Sequence, residues 1–87
     1  MKLIKIEKDD CNPCNFVEAH LRDKAVDFTA YNVQSINHEE ADKAHGYLNE
    51  LGLFTVPVVV LTDDNGQVVD YSNGFNPEKI DSLISQM

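Results

Sequence analysis

Two cysteines, Cys11 and Cys14, are the residues of this 87-residue chain whose type and spacing could do chemistry. They are separated by Asn12 and Pro13. Thiols at this spacing can form a redox-active dithiol, supply half of a metal site, or be two incidental thiols. Two cysteines are too few for a four-thiolate zinc site or for the disulfide framework of a small secreted protein. The elements around the pair must decide between the remaining alternatives.

The segments on either side of the cysteines predict a strand, a helix and a second strand. KLIKIEK, residues 2–8, predicts a short strand with a lysine-rich exposed side. The chain is predicted to be helical from Pro13, which is tolerated in a first helical turn, to about Asp23 or Lys24. The apolar stripe of this helix is formed by Phe16, Val17 and Leu21. FTAYNV, residues 28–33, predicts a second strand, parallel to the first because a helix joins them.

The middle of the chain predicts a second helix over residues 38–51. Asn37 is a favourable N-cap, and Glu40 three residues later suggests a capping box. Gly52 supplies a stop signal at the end of the helix. The predicted buried face consists of Ala41, Ala44, Leu48 and Leu51.

The last third predicts a hairpin and a final helix. Residues 58–61 form a continuous apolar run, which is typical of a buried central strand. Asn65-Gly66 predicts a two-residue hairpin turn, and Val68, Val69 and Tyr71 belong to the return strand. Asn76 and Pro77 then begin a helix whose predicted buried residues are Ile80, Leu83, Ile84 and Met87. The order β-α-β-α-β-β-α predicts an α/β fold, with one mixed sheet and helices on both of its faces.

These segments together resemble a known family. The order of elements, Cys-Asn-Pro-Cys at the head of the first helix, and Thr55-Val56-Pro57 before the buried strand resemble the thioredoxin superfamily. At this length the chain is similar to glutaredoxin-like redoxins, and residues 72–77, SNGFNP, are similar to the S-G-F-x-P segment of NrdH-type redoxins. The resemblance implies a thioredoxin fold with a four-stranded sheet, spanning residues 1–87 as one domain. Asn12-Pro13 departs from the Pro-Tyr of glutaredoxins, the Gly-Pro of thioredoxins and the Val-Gln of NrdH-type redoxins.

The resemblance also implies an activity, which is thiol–disulfide exchange. Cys11 would attack a substrate disulfide, and Cys14 would resolve the mixed disulfide, leaving a Cys11–Cys14 disulfide and no other bound cofactor. The Val56–Pro57 peptide bond is expected to be cis. The residues expected to contact substrate are Asn12, Pro13, Thr55, Val56, Pro57, Asn73, Gly74 and Phe75. Phe75 could instead be an ordinary core residue after a turn.

The position of Cys11 favours its thiolate, because the free N–H groups and dipole of a helix N-terminus stabilise negative charge. Asp9 and Asp10 oppose this by like-charge repulsion. We therefore expect the pKa of Cys11 to lie below the ~8.5 of a free thiol. Glu7, at the end of the first strand, is the nearest acid to accept the proton of Cys14. No metal site is expected, since His20 reads as an exposed residue, and Tyr31, Tyr47, His38 and His45 are interpreted as structural or solvated.

The net charge of −8 argues against nucleic acid or an anionic membrane as a partner, because attraction to phosphate requires lysine and arginine. No apolar run is long enough to span a membrane, and the N-terminus is charged too early for a secretory signal, so we expect a cytoplasmic protein. A monomer is the default expectation.

Four alternatives for function remain open at this point. One is a disulfide isomerase or oxidant, which the early charge of the N-terminus disfavours. The dithiol could reduce protein disulfides, with thioredoxin reductase and NADPH as its reductant and a ribonucleotide reductase as the client suggested by the resemblance. It could depend on glutathione instead, with Lys8, Arg22 or Lys43 binding the carboxylates. The fold could also serve as a non-catalytic binding adaptor whose thiols are idle.

Overall fold

A computed structural model describes all 87 residues. The elements are β1 (Lys2–Glu7), α1 (Asn12–Asp23), β2 (Phe28–Asn32), α2 (His38–Leu51), β3 (Val58–Thr62), β4 (Val68–Asn73) and α3 (Pro77–Ser85). The predicted order β-α-β-α-β-β-α is confirmed. The first helix begins at Asn12 rather than Pro13, and the second strand ends at Asn32, one residue earlier than predicted.

The four strands form one mixed sheet in the order β2-β1-β3-β4. β1 pairs with β2 in parallel, while β3 pairs antiparallel with both β1 and β4. All five residues of β3 are buried, which confirms the central strand predicted from its continuous apolar run. The parallel β1–β2 pair places α1 across one face of the sheet, so the residues at the end of β1 lie beside the start of α1.

Helices cover both faces of the sheet, as the sequence predicts. On one face α1 and α3 pack in a cluster of seven buried residues, which are Leu3, Val17, Leu21, Val59, Leu61, Ile80 and Leu83. On the other face α2 packs in a cluster of six, which are Ile4, Ile6, Ala44, Leu48, Val58 and Val60. Alternate residues of β1 and β3 therefore point to opposite helical layers, as the pleat of a strand requires.

The helix ends follow their local signals, with one exception. Asn37 Oδ1 accepts the Glu40 N–H at 3.1 Å and caps α2, and Gly52 ends this helix with φ 69°. The capping box is incomplete, because the Glu40 carboxylate accepts the backbone N–H of Asn32 at 3.0 Å instead of bonding back to Asn37. A tertiary contact to the end of β2 thus replaces the local bond that the sequence predicted.

The hairpin between β3 and β4 is wider than predicted. The Gly66 N–H donates to the carbonyl of Asp63 at 3.0 Å, and the Asp63 N–H donates to the carbonyl of Gln67 at 2.9 Å. Gly66 has φ 82°, which places a left-handed residue after an ordinary turn. The loop therefore has three residues, Asp64 to Gly66, rather than two, which is the common alternative for such hairpins.

Four burial predictions are wrong. The side chain of His20 is only 17 % exposed although it was expected to be an exposed residue, because it packs between α1 and Asp81. Lys5 is only 2 % exposed although it was predicted to lie on the solvent side of β1. Phe16 is 56 % exposed although helical spacing placed it in the apolar stripe of α1. Met87 lies beyond the end of α3 and is 50 % exposed, because the helix ends at Ser85 before its next turn is complete. None of the helices is long and apolar enough to cross a membrane.

Candidate active site

The site lies where β1 ends and α1 begins. The turn between them is held in place from β2, since Asn32 Nδ2 donates to Asp9 Oδ1 at 2.9 Å and the Asp9 N–H donates to Gln34 Oε1 at 2.8 Å. Asp10 follows in the left-handed region with φ 52°, a conformation that aspartate adopts more readily than most side chains. This turn brings Cys11 to the N-terminus of α1.

Cys11 is itself the N-cap of α1. Its Sγ accepts the backbone N–H of Cys14 at 3.1 Å, in the way that a serine or aspartate oxygen usually caps a helix. The sulfur therefore lies in the positive end of the helix dipole, where a thiolate is stabilised relative to a thiol. The predicted placement of Cys11 is confirmed, while its lowered pKa remains a prediction.

Cys11 and Cys14 are joined by a disulfide with their Cα atoms 5.2 Å apart, and both residues are buried. Cys14 is on the face of α1 that packs on the sheet, one turn before Val17 and Glu18. Asn12 and Pro13 are exposed in the turn between the two cysteines. The two sulfurs are thus bonded to each other, and His20 lies elsewhere, with its Nε2 2.7 Å from Asp81 Oδ1.

The loop before β3 forms a second side of the candidate site, because Ile6 of β1 pairs with Val58 and this loop therefore lies at the same edge of the sheet as the end of β1. The Val56–Pro57 peptide bond is cis, as the resemblance implied. Thr55 is exposed and Val56 half-buried, and neither the N–H nor the C=O of Val56 has a hydrogen-bond partner within the chain. These backbone groups are therefore available to another molecule.

The segment after β4 forms a third side. The Gly74 N–H donates to the carbonyl of Pro57 at 2.7 Å, and Gly74 has φ 78°, in the left-handed region that glycine adopts without cost. Asn73 is exposed at the end of β4, opposite Val58 in the register. The predicted neighbours Pro57 and Gly74 are in direct contact, although they are far apart in the sequence.

Phe75 is not an ordinary core residue, since it is 41 % exposed. Its ring lies 5.8 Å from the ring of Phe16 and 6.2 Å from the imidazole of His20. His20 is in turn held by Asp81, and this hydrogen bond is the main cause that lowers the pKa of the Asp81 carboxyl. Sequence reasoning missed Phe16 and His20 as neighbours of Phe75, because no local pattern connects α1 with the segment before α3.

A groove of about 410 Å³ lies beside the loop that precedes Pro57. Thr55 and Val56 line it together with Lys8, which is exposed at the end of β1. The other two cations considered for carboxylate binding are engaged elsewhere. Arg22 pairs with Glu18 at 3.5 Å, and Lys43 pairs with Glu39 at 3.9 Å and packs over the ring of Tyr31.

Known proteins resemble this chain over essentially its whole length, although no protein-family model matches it. The SPbeta prophage-derived thioredoxin-like protein YosR of Bacillus subtilis (strain 168) is 33 % identical over 87 residues, which are 100 % of this chain and 99 % of that protein. Two solved structures have the same fold. Glutaredoxin (grx-1) from Archaeoglobus fulgidus superimposes with a TM-score of 0.75 at 23 % identity, covering 95 % of this chain and 85 % of that one.

The second structure is the glutaredoxin-like protein NrdH-redoxin from Escherichia coli, described as having a thioredoxin-like activity profile. It superimposes with a TM-score of 0.71 at 24 % identity and covers 95 % of each chain. These superpositions confirm the thioredoxin fold that the resemblance implied. With its identity to YosR over the full length, the chain belongs to the thioredoxin-like proteins of the thioredoxin superfamily.

Proposed function

We propose that this thioredoxin-like protein is a thiol–disulfide oxidoreductase that donates electrons from its dithiol to protein disulfides. The observation that carries the proposal is the Cys11 sulfur, which caps α1 through the Cys14 N–H at 3.1 Å and is paired with Cys14 in a disulfide. A sulfur in this position is stabilised as a thiolate, which is the form that attacks a disulfide.

The reaction follows from the two positions of the cysteines. In the reduced protein the Cys11 thiolate attacks a substrate sulfur, and the other substrate sulfur leaves as a thiolate and takes up a proton. Cys14, one turn into the helix, then attacks Cys11 Sγ. This step releases the second substrate thiol and restores the Cys11–Cys14 disulfide seen in the structure.

The surroundings of the cysteines suit an extended polypeptide as substrate. The free N–H and C=O of Val56 can pair with a backbone segment in the manner of an added strand. Phe75 and Phe16, which follows Cys14 by two residues in α1, offer an exposed apolar surface. Asn12, Pro13, Thr55, Asn73 and Gly74 complete the rim that a substrate would contact.

Thioredoxin reductase with NADPH is the proposed reductant. Only Lys8, among the three candidate cations, lines the groove beside Val56, whereas Arg22 and Lys43 are paired with carboxylates. Glutathione carries two carboxylates, so a site with one available cation favours a protein reductase. A ribonucleotide reductase remains the proposed client because of the resemblance to NrdH-type redoxins, and a cytoplasmic monomer remains the proposed state.

The test is the oxidation of NADPH by thioredoxin reductase in the presence of this protein and a protein disulfide, without glutathione. Turnover that is lost in Cys11→Ser supports the proposal. In Cys14→Ser the reaction should stop at a mixed disulfide, which non-reducing electrophoresis would capture. Turnover that needs glutathione and glutathione reductase would replace the proposed reductant, and no turnover with either system would favour the binding adaptor.

A further inference from the structure

Lys5 is the one charged residue among the buried residues of the chain, and the reaction described above does not use it. Its Nζ donates to Glu7 Oε1 at 2.6 Å and to Glu18 Oε1 at 3.3 Å. A lysine is seldom buried unless its charge is paired, and this one joins a carboxylate of β1 to a carboxylate of α1. We refer to Lys5, Glu7 and Glu18 as the ion triad.

The ion triad lies in the β1–α1 interface, where Lys5 of β1 contacts Glu18 of α1, one helical turn after Cys14. Leu3, Lys5 and Glu7 alternate along the face of β1 that α1 covers, and Leu3 packs in the same cluster as Leu21. Since α1 runs back along β1, Leu21 lies near the start of the strand and Cys14 near its end. Glu18 is four residues after Cys14 on the same face of the helix, where side chains are neighbours.

Few other charged side chains surround the ion triad. In the sheet, Lys5 pairs with Ala30 of β2 and Val59 of β3, which are uncharged. From α1, Arg22 contacts the other oxygen of Glu18 at 3.5 Å. Asp81 of α3 is engaged by His20 and Lys24, while Asp9 and Asp10 lie on the exposed turn before Cys11.

Cys14 needs a nearby positive charge during the reaction. It is buried, and burial disfavours its thiolate, yet the thiolate is the form that attacks Cys11 in the mixed disulfide. An ammonium has three hydrogens, and two of those on Lys5 are used by Glu7 and Glu18. Coulombic attraction to Lys5 also lowers the pKa of the Glu18 carboxyl, which favours the charged form of Glu18 as a partner of Lys5.

We propose that Lys5 is a positioning residue for thiol–disulfide exchange, held by Glu7 and Glu18 so that its ammonium stabilises the thiolate of Cys14. This inference rests on the proposed function. In the resolving step the Cys14 thiolate forms a bond to Cys11 Sγ, and the bond between Cys11 and the substrate sulfur breaks. The substrate sulfur leaves with the electron pair and takes up one proton, which balances the proton lost by Cys14, and Lys5 exchanges no proton in this step.

The test measures the ionisation of Cys14 directly, in purified protein and without a partner. In a Cys11→Ser background, the pH dependence of Cys14 alkylation gives its apparent pKa. Lys5→Met should raise the midpoint, with about a tenfold loss of thiolate at neutral pH, since opposite charges nearby shift a pKa by about 1–3 units. Glu18→Gln removes an anion while leaving Lys5 in place, so the midpoint should move in the opposite direction.

Two further measurements separate this role from a purely structural one. With both cysteines present, Lys5→Met should shift the dithiol–disulfide equilibrium towards the disulfide, and Glu18→Gln should shift it towards the dithiol, because a stabilised thiolate stabilises the reduced form. Lys79→Met is the matched control, since it breaks the 2.9 Å Lys79–Asp70 ion pair between α3 and β4 and should leave both quantities unchanged.

The proposal is overturned if the two substitutions move the Cys14 midpoint in the same direction, or if neither moves it. If Lys5→Met does not fold, Glu18→Gln decides the matter alone, because Glu18 is partly exposed and its loss leaves Lys5 paired with Glu7; an unchanged midpoint then overturns the proposal. Failure of turnover with both the thioredoxin reductase and the glutathione systems in the wild-type protein refutes the proposed function instead, and it leaves these titrations as an independent result.

Discussion

Replacing Phe75 with alanine removes the exposed ring on one side of the cysteines and tests whether this surface docks a protein substrate. The ring packs against Phe16 at 5.8 Å, yet Phe75 remains 41 % exposed in the free protein. An apolar ring held in place against Phe16, two residues after Cys14, is a suitable anchor for a partner, because covering it would remove apolar surface from water.

The expected loss of docking free energy in Phe75→Ala follows from the exposed area of the Phe75 side chain. A phenylalanine side chain has about 200 Å² of surface, so 41 % exposure leaves about 80 Å² for a partner to cover. At about 25 cal/mol per Å², this area contributes about 2 kcal/mol to docking. Since about 1.4 kcal/mol corresponds to a factor of ten, kcat/KM for a protein disulfide should fall about 30-fold at most in Phe75→Ala.

The assay compares kcat/KM for a protein disulfide with that for a small aromatic disulfide that does not reach the Phe75 ring. We expect the loss only for the protein substrate. Met87→Ala is the matched control, because Met87 is 50 % exposed and lies in a groove lined by residues at the start of β1, at the end away from Cys11. An equal loss of kcat/KM for both substrates, with unchanged thermal unfolding, would show that Phe75 supports the cysteines and does not dock the protein substrate. No loss for either substrate would refute the docking argument.

Three further predictions concern stability. Ala25 follows the C-cap of α1 with φ 55°, so Ala25→Gly should stabilise the protein by about 1 kcal/mol, seen as a Tm increase of about 4–8 °C; a lower Tm would contradict this. Asn76→Ala removes the cap that Asn76 Oδ1 provides to the Lys79 N–H at 3.2 Å and should cost about 1 kcal/mol in urea unfolding. The Lys79 hydrogen bond lowers the pKa of Asp70 in the folded protein. The stabilisation that this ion pair gives to the folded state is therefore complete above the unfolded pKa of about 3.9, and it is lost as pH falls through the folded pKa. In urea unfolding at descending pH, the free energy of unfolding should therefore fall less on acidification in Lys79→Met than in wild type. Identical pH dependences would refute this role of the Lys79–Asp70 pair.

The elements were predictable wherever a local signal determines the backbone. Helix α2 has the predicted bounds because Asn37 caps its start and a left-handed Gly52 ends it. Strand β3 was predicted from its apolar run, since a strand buried on both faces needs apolar residues on both. These signals act within a few residues, so they can be recognised in the sequence without knowledge of the tertiary fold.

The predictions from sequence are wrong where a contact with a distant segment of the chain changes the position of a side chain. The Glu40 carboxylate does not complete the capping box, because it accepts the Asn32 N–H at the end of β2 instead. Phe16 follows the helical period, yet its ring lies over Phe75 at the rim of the site rather than in the core. Lys5 is polar by type, but Glu7 and Glu18 pair its charge and allow it to be buried.

The sequence by itself determined the order of elements and the pair of sulfurs at the head of a helix, because both depend on residue types and short spacings. The tertiary structure alone decided what surrounds those sulfurs. The sheet brings Pro57 against Gly74, the packing of α1 beside the segment before α3 brings Phe16 to Phe75, and the β1–α1 interface joins the buried Lys5 to Glu18. Contacts of this kind join residues that no local period connects, because they depend on how whole elements pack against one another.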